Sequence, residues 1–204
     1  MERGGAGDGC GVSTGLRPQL LRILLTMPTS AKSGPPQVVS ELEDFVDLEA
    51  RAVSLGLNSP SGLCFLPGNI EDATSASDLL YEGDIASLRV LLRQAGVVET
   101  RLERDGVRVP VLKTKSIELV MPTLFIGAAL LSENPNVVNI ALGIVANYAT
   151  DFFKGLGGAK RVRFSIVIQD KAAGRYKRFK YSGDPSGIKD FTKLATRIDN
   201  GNSK

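Results

Sequence analysis

Histidine is absent from all 204 residues, and cysteine occurs only twice, at Cys10 and Cys64. Without imidazole the chain lacks the side chain that most readily exchanges a proton near neutral pH and most often ligates transition metals. Ser-His-Asp and Cys-His nucleophile pairs, HExxH and mixed Cys/His zinc sites are excluded with it. Two cysteines cannot build a disulfide framework, and Cys10 lies in a glycine-rich stretch, so a reducing, cytoplasmic setting is expected. Cys64 has no histidine to activate it and reads as a buried strand cysteine. A secretory start is also lacking: Glu2 and Asp8 stand where a basic region would, and Arg22 cuts the apolar stretch 20–27.

Charge excess is lacking as well. The net charge of +3 exerts little long-range pull on nucleic acid or anionic lipid. Its distribution says more. Residues 160–180 hold eight cations against Asp170 alone, whereas residues 41–51 hold five acids against Arg51, which suggests a domain with oppositely charged ends. Apolar residues at 43% and charged residues at 23% are ordinary for a globular protein.

Residues 1–36 are rich in glycine, proline and serine and bury too little apolar surface to offset the entropy of ordering, so they read as a disordered leader. Met27 inside it offers a second start for translation. Residues 37–197 then form one α+β domain, and 198–204 a flexible tail. From Gln37, apolar residues at three- and four-residue steps (Val38, Val39, Leu42, Phe45, Val46, Ala50, Val53) predict an amphipathic helix ending near Gly56. Leu63 to Leu66 reads as a short strand. Ile85, Leu88, Leu91 and Leu92 mark a helix closed by Gly96, with Asp84 as its N-cap. Asp105-Gly106 between the strand-like runs 98–103 and 107–112 predicts a hairpin, with Pro110 confining the second strand to an edge.

The stretch 119–150 carries a single charged side chain, Glu133. It predicts an apolar helical hairpin: one helix over 119–131 with Pro122 in its first turn, and a second from Asn134 and Pro135 to Gly155. Asn136, Asn139, Asn147, Thr150 and Lys154 make a narrow polar stripe on the second helix. The uninterrupted apolar runs, about 13 residues, fall short of the ~18 expected for a membrane span. Alternation over 161–169 predicts a half-buried strand, Ala172-Ala173-Gly174 a turn, and 175–181 its partner. Gly183-Asp184-Pro185 introduces a short helix with Ile188, Phe191 and Leu194 inward. The expected fold is α+β, a single small domain with an antiparallel sheet packed on a central apolar helical hairpin.

Neither glycine cluster makes a phosphate loop, because 5–9 has no strand before it and 155–160 precedes a strand instead of a helix. Glu71, Asp72, Glu82 and Asp84 would have to converge for hydrolytic or metal chemistry, and in a loop they read as solvated acids and a cap. No catalytic, cofactor-binding or metal-ligating residue is therefore assigned. Two partner-binding groups are. The basic β-hairpin offers Arg161, Arg163, Arg175, Tyr176, Arg178 and Lys180, cations interleaved with an aromatic, as an acidic protein surface or single-stranded nucleic acid would require. The helical hairpin offers Asn136, Asn139, Asn147, Phe152 and Phe153 as an interface. The expectation is a non-enzymatic interaction or regulatory protein that self-associates or docks a protein partner. A nucleic-acid-binding module and a small membrane-active effector are the alternatives, with a carboxylate and metal enzyme last.

Overall fold

The computed structural model describes residues 38–112, 118–158, 160–170 and 174–193, with side chains from Glu43 onward. The leader, Cys10, the turn residues Ala172 and Ala173, Leu194 and the tail lie outside the described residues.

Strand β1 (Val38–Phe45) leads into helix α1 (Leu48–Ser54). The sequence predicts one helix here; the structure divides it. Residues 38–45 pair antiparallel with β8 (Arg175–Gly183), Glu43 opposite Arg178 and Phe45 opposite Tyr176. The helix begins only where the Asp47 carboxylate accepts from the backbone amides of Glu49 and Ala50, at 3.0 and 3.1 Å. Three-residue apolar spacing suits a helix locally, but ladder hydrogen bonds and complementary charge on a strand 135 residues away outweigh it.

Next come β2 (Leu63–Leu66), the two-residue β3 (Tyr81–Glu82) and α2 (Ile85–Gln94). Asp84 caps α2 as expected, its side chain accepting from the Ser87 amide at 3.3 Å. The predicted 98–112 hairpin is corrected. Its turn is present, with Gly106 at φ 85 and Val107 N–H donating to the Arg104 carbonyl, but the flanks bond elsewhere. Thr100 donates to the Leu63 carbonyl at 2.8 Å, and β4 (Val111–Leu112) runs parallel to β3. Each flank finds a better partner than the other.

The apolar run from 119 is likewise strand, not helix. It forms β5 (Glu118–Val120) and β6 (Thr123–Ile126), both parallel to β7 (Arg161–Asp170), followed by the short α3 (Ala128–Glu133). Pro122 interrupts a strand instead of opening a helix. A strand with both faces covered reads as a continuous apolar run, the same signal as a buried helix. The helical hairpin over 119–153 is thus replaced by a β-β-α-α path, and only its second helix, α4 (Pro135–Phe152), stands as expected. The large sheet has six strands in the order β1-β8-β7-β6-β2, with β5 also on β7, and it is mixed instead of antiparallel.

One face of this sheet carries Val162, Phe164, Ile166, Phe179 and Tyr181, packed by α2, α4 and the helical turn at 188–193 with Ile188 and Phe191 inward. Ala141, Ala146 and Ala149 on the buried side of α4 bring it close to the strands. The other face is only half covered. Its Cys64, Leu66, Phe125, Val167 and Tyr176 lie under Leu48, Ala52 and Leu55 of the α1 segment and under Ile70 and Leu79. From Val167 toward Arg163, no helix among the described residues packs on the same face, and there the side chains turn polar, with Ser165, Lys180, Arg163 and Ser182.

Candidate functional site

The register of β7 and β8 decides which of the predicted basic residues act together. Arg163 pairs with Ser182, Ser165 with Lys180, Val167 with Arg178, and Gln169 with Tyr176. All eight therefore project from the second face of the sheet. Along it, α1 and the 67–79 loop cover the Tyr176 end and leave the Arg163 end open.

The six residues assigned to the basic hairpin fall into three groups. Tyr176 is only 5% exposed and packs its ring 6.2 Å from that of Phe125, so it offers no stacking surface. Arg178, with 17% of its side chain exposed, is held by Glu43 and Glu71 and stacks over Phe45 at 4.6 Å. Both belong to the covered half. Arg175 is exposed at the far end of the hairpin, opposite Asp170.

Arg161, Arg163 and Lys180 remain on the open half. Arg163 has 57% of its side chain exposed and donates through Nη2 to Glu118 Oε2 at 2.9 Å. Lys180 Nζ reaches Glu43 Oε1 at 2.8 Å. Burial would raise the Glu43 carboxyl, but hydrogen bonds and charge from Lys180 and Arg178 outweigh it and hold the group below the usual carboxylate range. The acidic and basic segments are thus neighbouring strands, not opposite ends of the domain, and much of the hairpin's charge is answered within the fold.

Between the two cations lies a groove of about 450 Å³, lined by Thr123, Arg163, Ser165, Lys180 and Ser182 with Val120, Met121 and Glu82 at its margin. Two rows of side chains cross its floor. One runs Val120–Arg163–Ser182 over β5, β7 and β8; in the other Ser165 and Lys180 pair, with Thr123 one residue before the Leu124–Ile166 pair. Composition gives no hint of this groove. Only the strand register, which sets residues 123, 165 and 180 in one row beside 120, 163 and 182 in the next, brings it into being.

The second predicted interface is divided as well. Asn136, Asn139 and Asn147 are exposed on the outer side of α4, and Phe152 is exposed, but Phe153 is buried and meets Phe152 edge-on at 5.0 Å. Asn139 and Asn147 line, with Gly143 and Lys189, a concavity of about 400 Å³ beside the 188–193 turn.

The four loop acids do not converge. Glu71 pairs with Arg178, and Asp84 caps α2 while accepting from the Tyr148 hydroxyl at 3.0 Å; burial, reinforced by that hydrogen bond and the Asp84 charge, pushes the phenol up to about 12. Among the described residues no group of three acids or cysteines could hold a metal ion. Cys64 is fully buried, and desolvation drives its thiol well above the ordinary range.

One cluster had no sequence signal. Arg89 on α2 donates from Nε to both carboxylate oxygens of Glu99, at 2.8 and 3.0 Å, and from Nη2 to Glu103 at 3.3 Å, with the Tyr81 ring at 5.2 Å. Two acids thus share one half-buried cation, and Glu103 Oε2 is left without a hydrogen-bond partner. Nothing in the spacing of Glu99 and Glu103 announces this, because the helix and the coil segment meet only in the fold.

Compared with protein families, curated proteins and solved structures, the chain matches none of them. Among the described residues no helix is long and apolar enough to cross a membrane.

Proposed function

We propose that the protein is a non-enzymatic interaction module that docks an acidic partner on the open half of the second sheet face. The observation that carries this reading is the groove between Arg163 and Lys180, a strand-built surface on which donors outnumber acceptors. Each cation uses one donor on a neighbouring carboxylate, which fixes its position while leaving other N–H groups free for a ligand. Arg161 adds charge along the same face. An acidic peptide suits the groove better than single-stranded nucleic acid, because Tyr176 is buried and no base could stack on it.

The test uses the full chain and a fluorescent peptide rich in aspartate and glutamate. Binding at low salt is expected, weakening steeply as salt rises. Reversing Arg163→Glu together with Lys180→Glu should abolish it, with urea denaturation confirming that the variant still folds despite the new carboxylates beside Glu118 and Glu43. Absence of binding at low salt, or binding that survives the double reversal, overturns the reading.

A further inference from the structure

The groove on the open half of the sheet is built from more than charge. Arg163 and Ser182 face each other across β7 and β8, and Ser165 and Lys180 form the next pair, so cation and hydroxyl alternate at the corners of a small square. Side chains directly opposite in such pairs have Cβ atoms about 4.5–5.5 Å apart. Thr123 adds a third hydroxyl at the border of this square. None of the three hydroxyls is hydrogen bonded to another described residue, although each lies on a strand whose backbone is satisfied by the ladder. Five groups able to donate thus converge on one spot.

A carboxylate has two oxygens in a plane and would leave part of this set unused. A phosphomonoester carries three terminal oxygens in a tetrahedron, with a charge between −1.5 and −2 near neutrality, and takes both cations and the hydroxyls together. Glu118 and Glu43 hold Arg163 and Lys180 from their outer sides, so the guanidinium and ammonium are oriented before any ligand arrives. Glu82 stands at the margin of the groove. Its carboxylate disfavours a free phosphate dianion but accepts readily from a backbone amide, which a phosphorylated peptide supplies and inorganic phosphate does not.

We propose that the groove formed by Thr123, Arg163, Ser165, Lys180 and Ser182 binds a phosphorylated serine or threonine side chain of a partner segment. The proposal rests on the acidic-partner reading above and narrows it to one chemical group.

Three probes are titrated into the full chain: a phosphoserine peptide, the same peptide with aspartate at that position, and inorganic phosphate. The phosphopeptide is expected to bind at least tenfold more tightly than either of the others. Arg163→Gln and Lys180→Gln should each cost the phosphopeptide about tenfold or more, with the urea midpoint measured to confirm folding. The paired Ser165→Ala and Ser182→Ala changes, which leave charge and core intact, should weaken the phosphopeptide several-fold and the aspartate peptide by a smaller factor; an equal loss for both would overturn the phosphate assignment. Equal affinity for phosphoserine and aspartate peptides overturns the phosphate assignment and leaves the acidic-partner reading standing. Inorganic phosphate binding as tightly as the phosphopeptide also overturns it, because the peptide and Glu82 would then contribute nothing. If no probe binds, both readings fall.

Discussion

Arg178 on β8 lies opposite Glu43 on β1 and reaches Glu71 with its other Nη, over the ring of Phe45. One guanidinium therefore ties the edge strand, the neighbouring strand and the 67–79 loop together on the covered half of the sheet. Removing it strands two partly buried carboxylates. Arg178→Ala is expected to lower the unfolding free energy by about 2–3 kcal/mol, below the ~3–5 that breaking a fully buried pair costs because some exposure remains. Arg163→Ala, whose pair with Glu118 is largely exposed, should cost less than about 1 kcal/mol. Urea denaturation of the two variants side by side checks the contrast, and equal losses would contradict it.

Glu99 gives the fold a pH dependence of defined sign. Burial raises its carboxyl above the ordinary value of 4.5 more strongly than the charge and hydrogen bonds of Arg89 lower it. The folded state then binds the Glu99 proton more tightly than the unfolded one. Its contribution is fully present below pH 4.5 and is lost as pH rises through the shifted value. Glu43 works in the opposite direction: with its folded value lowered by Lys180 and Arg178 against the cost of burial, its stabilisation is present above 4.5 and lost as pH falls through the lowered value. Denaturation midpoints measured from pH 4 upward should fall less steeply in Glu99→Gln than in the parent. Identical profiles would show that burial does not outweigh Arg89.

Gly83 adopts φ +69, and a Cβ there would lie 2.2 Å from the Val120 carbonyl oxygen. The clash is with backbone of the strand that borders the groove, so no side-chain movement relieves it. Gly83→Ala should destabilise by more than the about 1–3 kcal/mol typical of a non-glycine residue held at positive φ. A thermal melt reads this directly, and an unchanged midpoint would contradict the close approach of β3 to β5.

Parts of this architecture are legible in the sequence because their signals are local. The alternation of Val162, Phe164, Ile166 and Ile168 marks β7, Asp84 marks the start of α2, and Asn134-Pro135 marks the start of α4. What failed depends on distant partners. Residues 38–45 carry a helical spacing that pairing with β8 overrides, and 119–126 are apolar apart from Thr123 because β6 is packed by cores on both faces. The Asp105-Gly106 turn was readable, but not that Thr100 would bond to Leu63. Of the site, the cations of 160–180 were visible and their division was not. Only the register separates Arg163 and Lys180 on the open half from Arg178 and Tyr176 under α1.

The outer side of α4 supplies a further test. Asn139 and Asn147 are exposed there on the same side of the helix as Ile140, which is itself about half exposed. Replacing both asparagines by leucine enlarges a contiguous apolar patch without touching the core. Sedimentation velocity should show self-association in Asn139→Leu/Asn147→Leu at concentrations where the parent shows less. Unchanged sedimentation would mean that this face has no tendency to associate.

The account's central claim is that the working surface is the open half of the second sheet face. Its most direct measurement is an amide chemical-shift titration of the full chain with the acidic peptide at low salt. Perturbations centred on Thr123, Arg163, Ser165, Lys180 and Ser182, and absent from the outer side of α4 around Asn139 and Asn147, are the predicted result. Shifts confined to α4, or spread evenly over the surface, would contradict it.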